Sequence, residues 1–343
     1  MKHGVSVVIC CFNSSARLTP TLEHLYSQKK MPVDKWEIIV VDNASTDNTA
    51  ATAKEIWNAF QYPKPVLRIV TEVKPGLSSA RLKGIQESNF DIVLFCDDDN
   101  WLGENYVAKA IELMNADSKI GALGGIGHPV FESEEPPYFW ENQFHALAVG
   151  SQWRTEGDIT KERGVLYGAG MVLNKAAFNR LIEEFDFKFQ VSDRVGDSLL
   201  SSGDHELCSA LVRIGYKIFY SSSLSFKHYI PQKRTTLSYY KDLFYSFGVS
   251  AGYLFVYSLN SGDATSIKTD YRYMCLRCCK AIASAFMKLL LCGYFIKTER
   301  AKYKYINYLH FLYSNAGMLK TLLIRRNIHK NILREIPLFQ YQQ

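Results

Sequence analysis

Along the first hundred residues, short wholly apolar runs alternate with segments that are apolar at every third or fourth position. Val5–Cys11, Trp36–Val41, Val66–Thr71 and Asp91–Cys96 read as buried strands. Between them, Thr19–Gln28 (with Leu22, Leu25 and Tyr26 on one face), Thr46–Phe60 and Ser78–Ser88 read as helices. This alternation predicts an α/β chain with a mostly parallel central sheet flanked by helices. Residues 121–163, with Pro129, Pro136, Pro137 and several glycines, read as a long irregular segment suited to a lid or pocket. Arg163–Leu173 reads as a further strand interrupted by Gly168 and Gly170, Ala176–Phe185 as a helix, and Lys217–Tyr220 as a last short strand.

Beyond about residue 235 the pattern changes. Leu243–Gly262 carries no charge and is dense in Tyr and Phe, Ala281–Ile296 is apolar except for Lys288, and Tyr303–Arg326 mixes Tyr and Leu with basic residues. The expected organisation is an α/β domain over 1–235, in two halves that divide at about residue 100 (1–100 and 101–235), then a helical, aromatic-rich basic extension over 236–343. Neither apolar run is an uninterrupted span of about twenty residues. Two readings stand for the extension: helices lying on an anionic membrane surface through 281–330, or an appendage packed on the core.

Length and charge sharpen this picture. The 343 residues can bury a large core. The net charge of +6 is confined to the tail: Lys297 to Lys330 sums to +7 and everything else to −1. No recognisable RNA- or DNA-binding module accompanies that charge, so no nucleic-acid partner is expected. The N-terminus runs straight into a strand, with no signal peptide expected and hence a cytoplasmic setting, peripheral on the cytoplasmic face of a membrane if the tail binds one. The cysteines suit a reducing compartment. Cys10, Cys11, Cys96 and Cys208 lie in apolar runs as core residues, and Cys275, Cys278 and Cys279 read as helix packing, since only Cys292 lies near enough to complete a zinc set.

Candidate chemistry starts at Asp97-Asp98-Asp99, three carboxylates where a buried strand surfaces. Such a cluster repels itself unless a cation neutralises it, and strand ends are where open α/β sheets bind ligands. A solvated acidic turn is the plain alternative. No Gly-x-Gly-x-x-Gly follows the first strand and no P-loop occurs, which argues against a dinucleotide cofactor and a P-loop NTPase.

Five motifs in order give the chain, over roughly residues 4–235, a resemblance to glycosyltransferase family 2, the inverting, nucleotide-sugar-dependent group with the GT-A fold. They are Val8-Ile9-Cys10-Cys11-Phe12-Asn13, Val40-Val41-Asp42-Asn43 with the following Ser/Thr/Asp turn, Pro75-Gly76 through Ala80-Arg81-Leu82-Lys83-Gly84, Asp97–Asp99, and Gly203-Asp204-His205-Glu206-Leu207. Cys10 or Cys11 stands where the family often has Pro, and Leu82 where it usually has Asn. The resemblance implies that Cys11, Phe12, Asn13, Asp42, Asn43, Gly76, Arg81, Asp97 and Asp98 hold the nucleotide-sugar, with Asp42 accepting from the uracil of a UDP-sugar. It implies Mn²⁺ or Mg²⁺ on Asp97 and Asp99, with His228 a further ligand and Arg234 near phosphate. Asp204 takes the role of general base. Trp140, Trp153, Gly168, Ala169, Gly170 and Glu206 become acceptor-site candidates, Glu206 orienting its neighbours and not reacting.

The implied function is metal-dependent transfer of one sugar from a UDP-sugar to a saccharide or lipid-linked saccharide, in cell-surface polysaccharide synthesis. A processive synthase would be expected to carry Gln-x-x-Arg-Trp, which Gln232-Lys233-Arg234-Thr235-Thr236 does not match. The alternatives are a glycoside hydrolase built on paired carboxylates and a non-catalytic nucleotide-sugar-binding protein.

Overall fold

The computed structural model describes residues 4–133, 136–140, 142–191, 193–196, 198–258, 264–293 and 299–325. Gly262, Ile296, Lys297, Arg326 and Lys330, named above, lie outside the described residues, as does the side chain of Cys292.

The strands are β1 (Val5–Cys11), β2 (Trp36–Asn43), β3 (Val66–Glu72), β4 (Ile92–Asp97), β5 (Asn100–Leu102), β6 (Ile120–Phe131), β7 (Gly157–Asp158), β8 (Val172–Asn174) and β9 (Lys217–Ile230). Their order in the sheet is β3-β2-β1-β4-β8-β6-β9-β5, with β7 paired to β9. β3, β2, β1 and β4 run parallel, as do β6 and β9, while β8 is antiparallel to both neighbours. Helices α1 (Leu18–Tyr26), α2 (Thr49–Ala59) and α4 (Tyr106–Ala116) cover one face; α3 (Leu77–Glu87), α5 (Lys175–Phe185) and α6 (Gly203–Arg213) cover the other.

Alternate strand residues feed two cores. Val5, Val7, Ile9, Ile38 and Val40 pack with Leu18, Leu22, Ala53 and Trp57. Val8, Ile39 and Val41 pack with Ala80, Phe178, Leu207 and Leu211. That division is the two-residue period of a strand with both faces covered, which is why β1 and β2 read as unbroken apolar runs.

Three expectations are corrected. Residues 120–131 form the strand β6, not irregular chain. Its glycines sit where other groups press close: a Cβ on Gly125 would collide with the Leu224 carbonyl, and one on Gly124 with Gln152. The strand expected over 163–173 is confined to Val172–Asn174, because Gly164 and Gly170, both at φ +68°, turn the chain before it. The last strand runs on to Ile230, since Leu224, Phe226, His228 and Ile230 continue a buried alternation past the Ser221–Ser223 interruption.

Helices α7 (Leu237–Leu254), α8 (Ala264–Gly293) and α9 (Glu299–Arg325) follow. Tyr240, Leu243 and Phe244 of α7 and Ile306 and Leu309 of α9 share a core with Trp140, Leu147, Val149 and Ile230, so these helices pack on the α/β body. α7 and α9 meet backbone to backbone: a Cβ on Gly248 would strike the Ser314 carbonyl, and one on Gly317 the Tyr245 carbonyl. Among the described residues no helix is long and apolar enough to cross a membrane. Cys10, Cys11, Cys96 and Cys208 are free thiols in or at the edge of the two cores, and Cys278 packs with Phe255, Tyr271 and Leu322.

Candidate functional site

The carboxyl ends of β1, β2 and β4 open together on one side of the sheet. Cys11 lies in register with Asp42, and Cys10 with Asp97. Past β1, Asn13 adopts φ +50° and its Oδ1 accepts from the Thr46 amide at 2.8 Å, tying the first loop to the turn after β2. The Asp42 carboxylate accepts from the Ser45 amide at 3.3 Å. Asn43 is spent on the backbone: its side chain donates to Glu72 and Lys74 carbonyls and accepts from the Gly76 amide at 2.8 Å. It fixes the turn that starts α3, where Gly76 holds φ +127°.

The three aspartates have three fates. Asp98 is buried in contacts to the first loop, accepting from Ser14 Oγ and from Arg17 Nε at 2.8 Å. Burial and the neighbouring Asp99 push its carboxyl up, while Arg17 pulls it down. Asp99 faces His228 Nε2 at 3.5 Å and Arg234 Nη1 at 3.1 Å. Burial raises its carboxyl, but His228 and Arg234 outweigh that and hold it well below the usual carboxylate range. Asp97 alone keeps an open carboxylate, 27% exposed, with Arg81 Nη2 at 3.9 Å. Its carboxyl is raised by burial against the pull of Arg81.

Arg81 links this corner to the next. Its buried guanidinium lies over the Phe95 ring at 5.3 Å, against the Gly168 backbone, where a Cβ would collide with it. Asp97, Asp204 and Asp193 all act on its charge, and its buried Nε has no partner. Asp204, in the first turn of α6, accepts from the Gly168 amide at 2.6 Å and from the His205 amide at 2.8 Å. Ser202, just before α6, takes the left-handed φ of 111°.

Glu206 is fully buried and accepts from the Gln190 and Val191 amides and from the Tyr257 hydroxyl, all at 3.0–3.1 Å. Burial pushes its carboxyl up to about 7 against those three donors. It anchors the chain just before Asp193.

A cleft of about 1500 Å³ joins these groups; Phe12, Asn43, Arg81, Asp97, Asp99, His228 and Asp204 all line it. Gly168 and Ala169 line it too. Three other acceptor candidates, Trp140, Gly170 and Trp153, do not line it. Trp140 is wholly buried, donating from Nε1 to the Thr235 carbonyl and packing edge-on to Tyr240. Gly170 faces away, with its carbonyl accepting from the Tyr106 hydroxyl at 2.7 Å. Trp153 packs on the second core.

Sequence reasoning missed Arg17, Tyr167 and Asp193. Asp193 is 2% exposed, and both its oxygens accept from the Gly203 amide at 3.0 Å. Burial and the Asp204 charge push its carboxyl up to about 7. It stands 10 residues before Gly203 of the Gly203–Leu207 motif, the one signal that could have drawn attention to it. Tyr167 lines the cleft with a buried, unpartnered hydroxyl, under the Arg163 guanidinium at 4.8 Å.

Among the described residues no three His, Cys, Asp or Glu side chains converge as a closed metal cluster. The donors at hand still suit a hard cation: the open Asp97 carboxylate, and Asp99 Oδ1 facing His228 Nε2. Mg²⁺-type ions commonly take one or two carboxylates and complete their shell with water and substrate phosphate. The residues fit such an ion.

The family model described as "Glycosyl transferase family 2" matches residues 6–181. A poly-beta-1,6-N-acetyl-D-glucosamine synthase of Staphylococcus aureus is 26% identical over 123 residues, 36% of this chain and 28% of that protein. A cholesterol galactosyltransferase of Borreliella burgdorferi is 32% identical over 99 residues, 29% of this chain and 26% of that protein. The match to these curated relatives thus spans under a third of their length. In fold, the mannosyltransferase PcManGT of Pyrobaculum calidifontis, solved with GDP-Man and Mn²⁺, superposes with a TM-score of 0.62 at 16% identity, covering 92% of this chain and 86% of that one. S. aureus TarS 1-349, solved with UDP-GlcNAc, gives 0.52 at 15%, covering 99% and 93%. These likenesses make the fold GT-A.

Proposed function

The chain belongs to glycosyl transferase family 2, and from that premise we propose that it transfers a single sugar, with inversion, from a nucleotide-sugar to a saccharide or lipid-linked saccharide. UDP-sugars are the favoured donors. The observation that carries this reading is one cleft joining the aspartate corner, Arg81 and Asp204.

In this reading the loops after β1 and β2 receive the nucleoside, and the N-terminal turn of α3 with Arg81 faces the diphosphate. Asp97, Asp99 and His228 would hold Mn²⁺ or Mg²⁺. That ion, when bound, neutralises charge growing on the departing nucleoside diphosphate. Arg234 and Arg81 add fixed positive charge beside the same position, with no reorganisation needed at the moment of reaction. Asp204 removes the proton from the acceptor hydroxyl as that oxygen attacks the anomeric carbon from the face opposite the leaving group. The Gly168 and His205 amides hold the carboxylate in place for this. Asp193 and Glu206 set the position of the α6 N-terminus.

The similarity to a polysaccharide synthase supports a place in cell-surface polysaccharide assembly. The exposed Leu276, Met287, Leu290 and Leu291 of α8, beside Arg277, Lys280 and Lys288, support peripheral contact with an anionic membrane. A cytoplasmic location belongs to the same proposal.

Asp204→Asn tests the assignment. The amide retains an acceptor for the Gly168 N–H, so folding and UDP binding with Mn²⁺ should persist by calorimetry, while UDP release in the presence of acceptor falls roughly 10²–10⁴-fold. Equal loss of binding and turnover overturns the base. Metal-independent cleavage of a plain oligosaccharide by the wild type overturns transfer in favour of hydrolysis.

A further inference from the structure

Beyond Asp204 the cleft does not close. It continues against α7 and α9, where Phe247, Ala251, Leu254 and Phe311 line it beside Ser314 and Asn315. α7 lies beside the start of α6: the Ser250 hydroxyl donates to the Ser201 carbonyl, and Tyr257, just past α7, reaches Glu206. The apolar stretch therefore begins next to the candidate base.

Three observations bear on what occupies it. Its size is the first: about 1500 Å³ in all exceeds the roughly 300–1,000 Å³ of an ordinary small-molecule pocket, so room remains once a nucleotide-sugar is seated. Charge is the second. The α7 and α9 residues that line the cleft include no Lys, Arg, Asp or Glu, although these helices carry Lys241, Asp242, Lys304 and Lys320 elsewhere. A polyanionic acceptor would find no counter-charge there. The third is polarity along the length. At the Asp204 end stands the buried, unpartnered Tyr167 hydroxyl, one residue from the Gly168 amide that holds the base. On the α7–α9 wall Phe311 and Ala251 are exposed to solvent and apolar. The reacting end is polar, and the α7–α9 wall beyond it bears no Lys, Arg, Asp or Glu and is mainly apolar.

We propose that the α7–α9 wall is the seat of an uncharged hydrocarbon tail, and hence that the acceptor is a lipid-linked sugar whose hydroxyl-bearing head lies between Tyr167 and Asp204. This rests on the transferase reading and narrows it to one of its two acceptor classes.

Alkyl maltosides, held below their micelle concentrations, are suitable probes. Binding of maltose, hexyl maltoside and decyl maltoside to the full chain is measured by calorimetry with UDP and Mn²⁺ saturating. Burial of each methylene is worth up to about fourfold in affinity, so decyl should bind at least tenfold more tightly than hexyl maltoside. Ala251→Asp, at an exposed position, should remove that gain and leave the affinity for UDP unchanged; Phe311→Ser should reduce it. No gain with chain length overturns the tail site while UDP binding keeps the transferase reading intact. A gain undiminished in both variants places the chain elsewhere and also overturns it. Failure of the wild type to bind UDP with Mn²⁺ overturns the transferase reading, and this inference with it.

Discussion

Replacing Asp193 by Asn isolates the electrostatic cost of building this site. In the folded protein the Asp193 carboxyl is moved from 3.8 to about 7, first by burial and then by the Asp204 charge, with Arg81 and the Gly203 amide only partly offsetting them. A raised carboxyl binds its proton more tightly folded than unfolded. Its contribution therefore falls as pH rises through the unfolded value, and levels off once pH passes the folded one. At about 1.4 kcal/mol per pH unit, the loss sums to about 4 kcal/mol once pH has passed well beyond both values. Asn keeps an oxygen for the Gly203 N–H and cannot ionise. The difference in stability, Asn variant minus wild type, should accordingly grow by about 3 kcal/mol between pH 4.5 and 7.5. Urea unfolding of both proteins across that range, followed by circular dichroism, reads it directly. Glu206 also titrates near 7 but is common to both proteins and cancels. A difference that stays flat across the range would show that Asp193 is not held in a charge-averse setting, and the reasoning about this corner would fail.

Gly168→Ala should push the Arg81 guanidinium out of its seat, costing about 1–3 kcal/mol of stability and weakening UDP binding about tenfold by calorimetry, the loss expected for one charge-assisted hydrogen bond. An unchanged UDP affinity would remove Arg81 from the donor site. Trp140→Ala should cost about 3–5 kcal/mol in urea unfolding with little change in UDP affinity, as suits a core residue; loss of UDP affinity without loss of stability would return it to the binding surface.

Much of this arrangement is written locally. The parallel half of the sheet was legible because β1, β2 and β4 bury both faces and so appear as continuous apolar runs. Asp97, Arg81 and Asp204 could be singled out because each sits in a short motif at a strand or helix end. What escaped depended on contacts distant in sequence. Asp193 looks like one acidic residue in a polar loop until the fold carries it under the Gly203 amide. Trp140 resembles a sugar-stacking residue because an aromatic among prolines and glycines gives no sign that α7 will cover it. β6 was hidden by its own glycines, which the neighbouring Leu224 and Gln152 require and which local propensity counts against a strand. The polar Ser221–Ser223 stretch concealed the length of β9 in the same way.

The glycine contact between α7 and α9 carries a consequence for selectivity. Where two helices touch through bare backbone, their spacing is set by the side chains that are missing, and the hydrocarbon-lined wall they share inherits that spacing. One methyl group added at position 248 would press on the Ser314 backbone, wedge α9 outward and alter the bore of the channel without changing the side chains of Phe247, Leu254 or Phe311. Gauge and chemistry are thus written at different positions in this chain, so one can change while the other is kept.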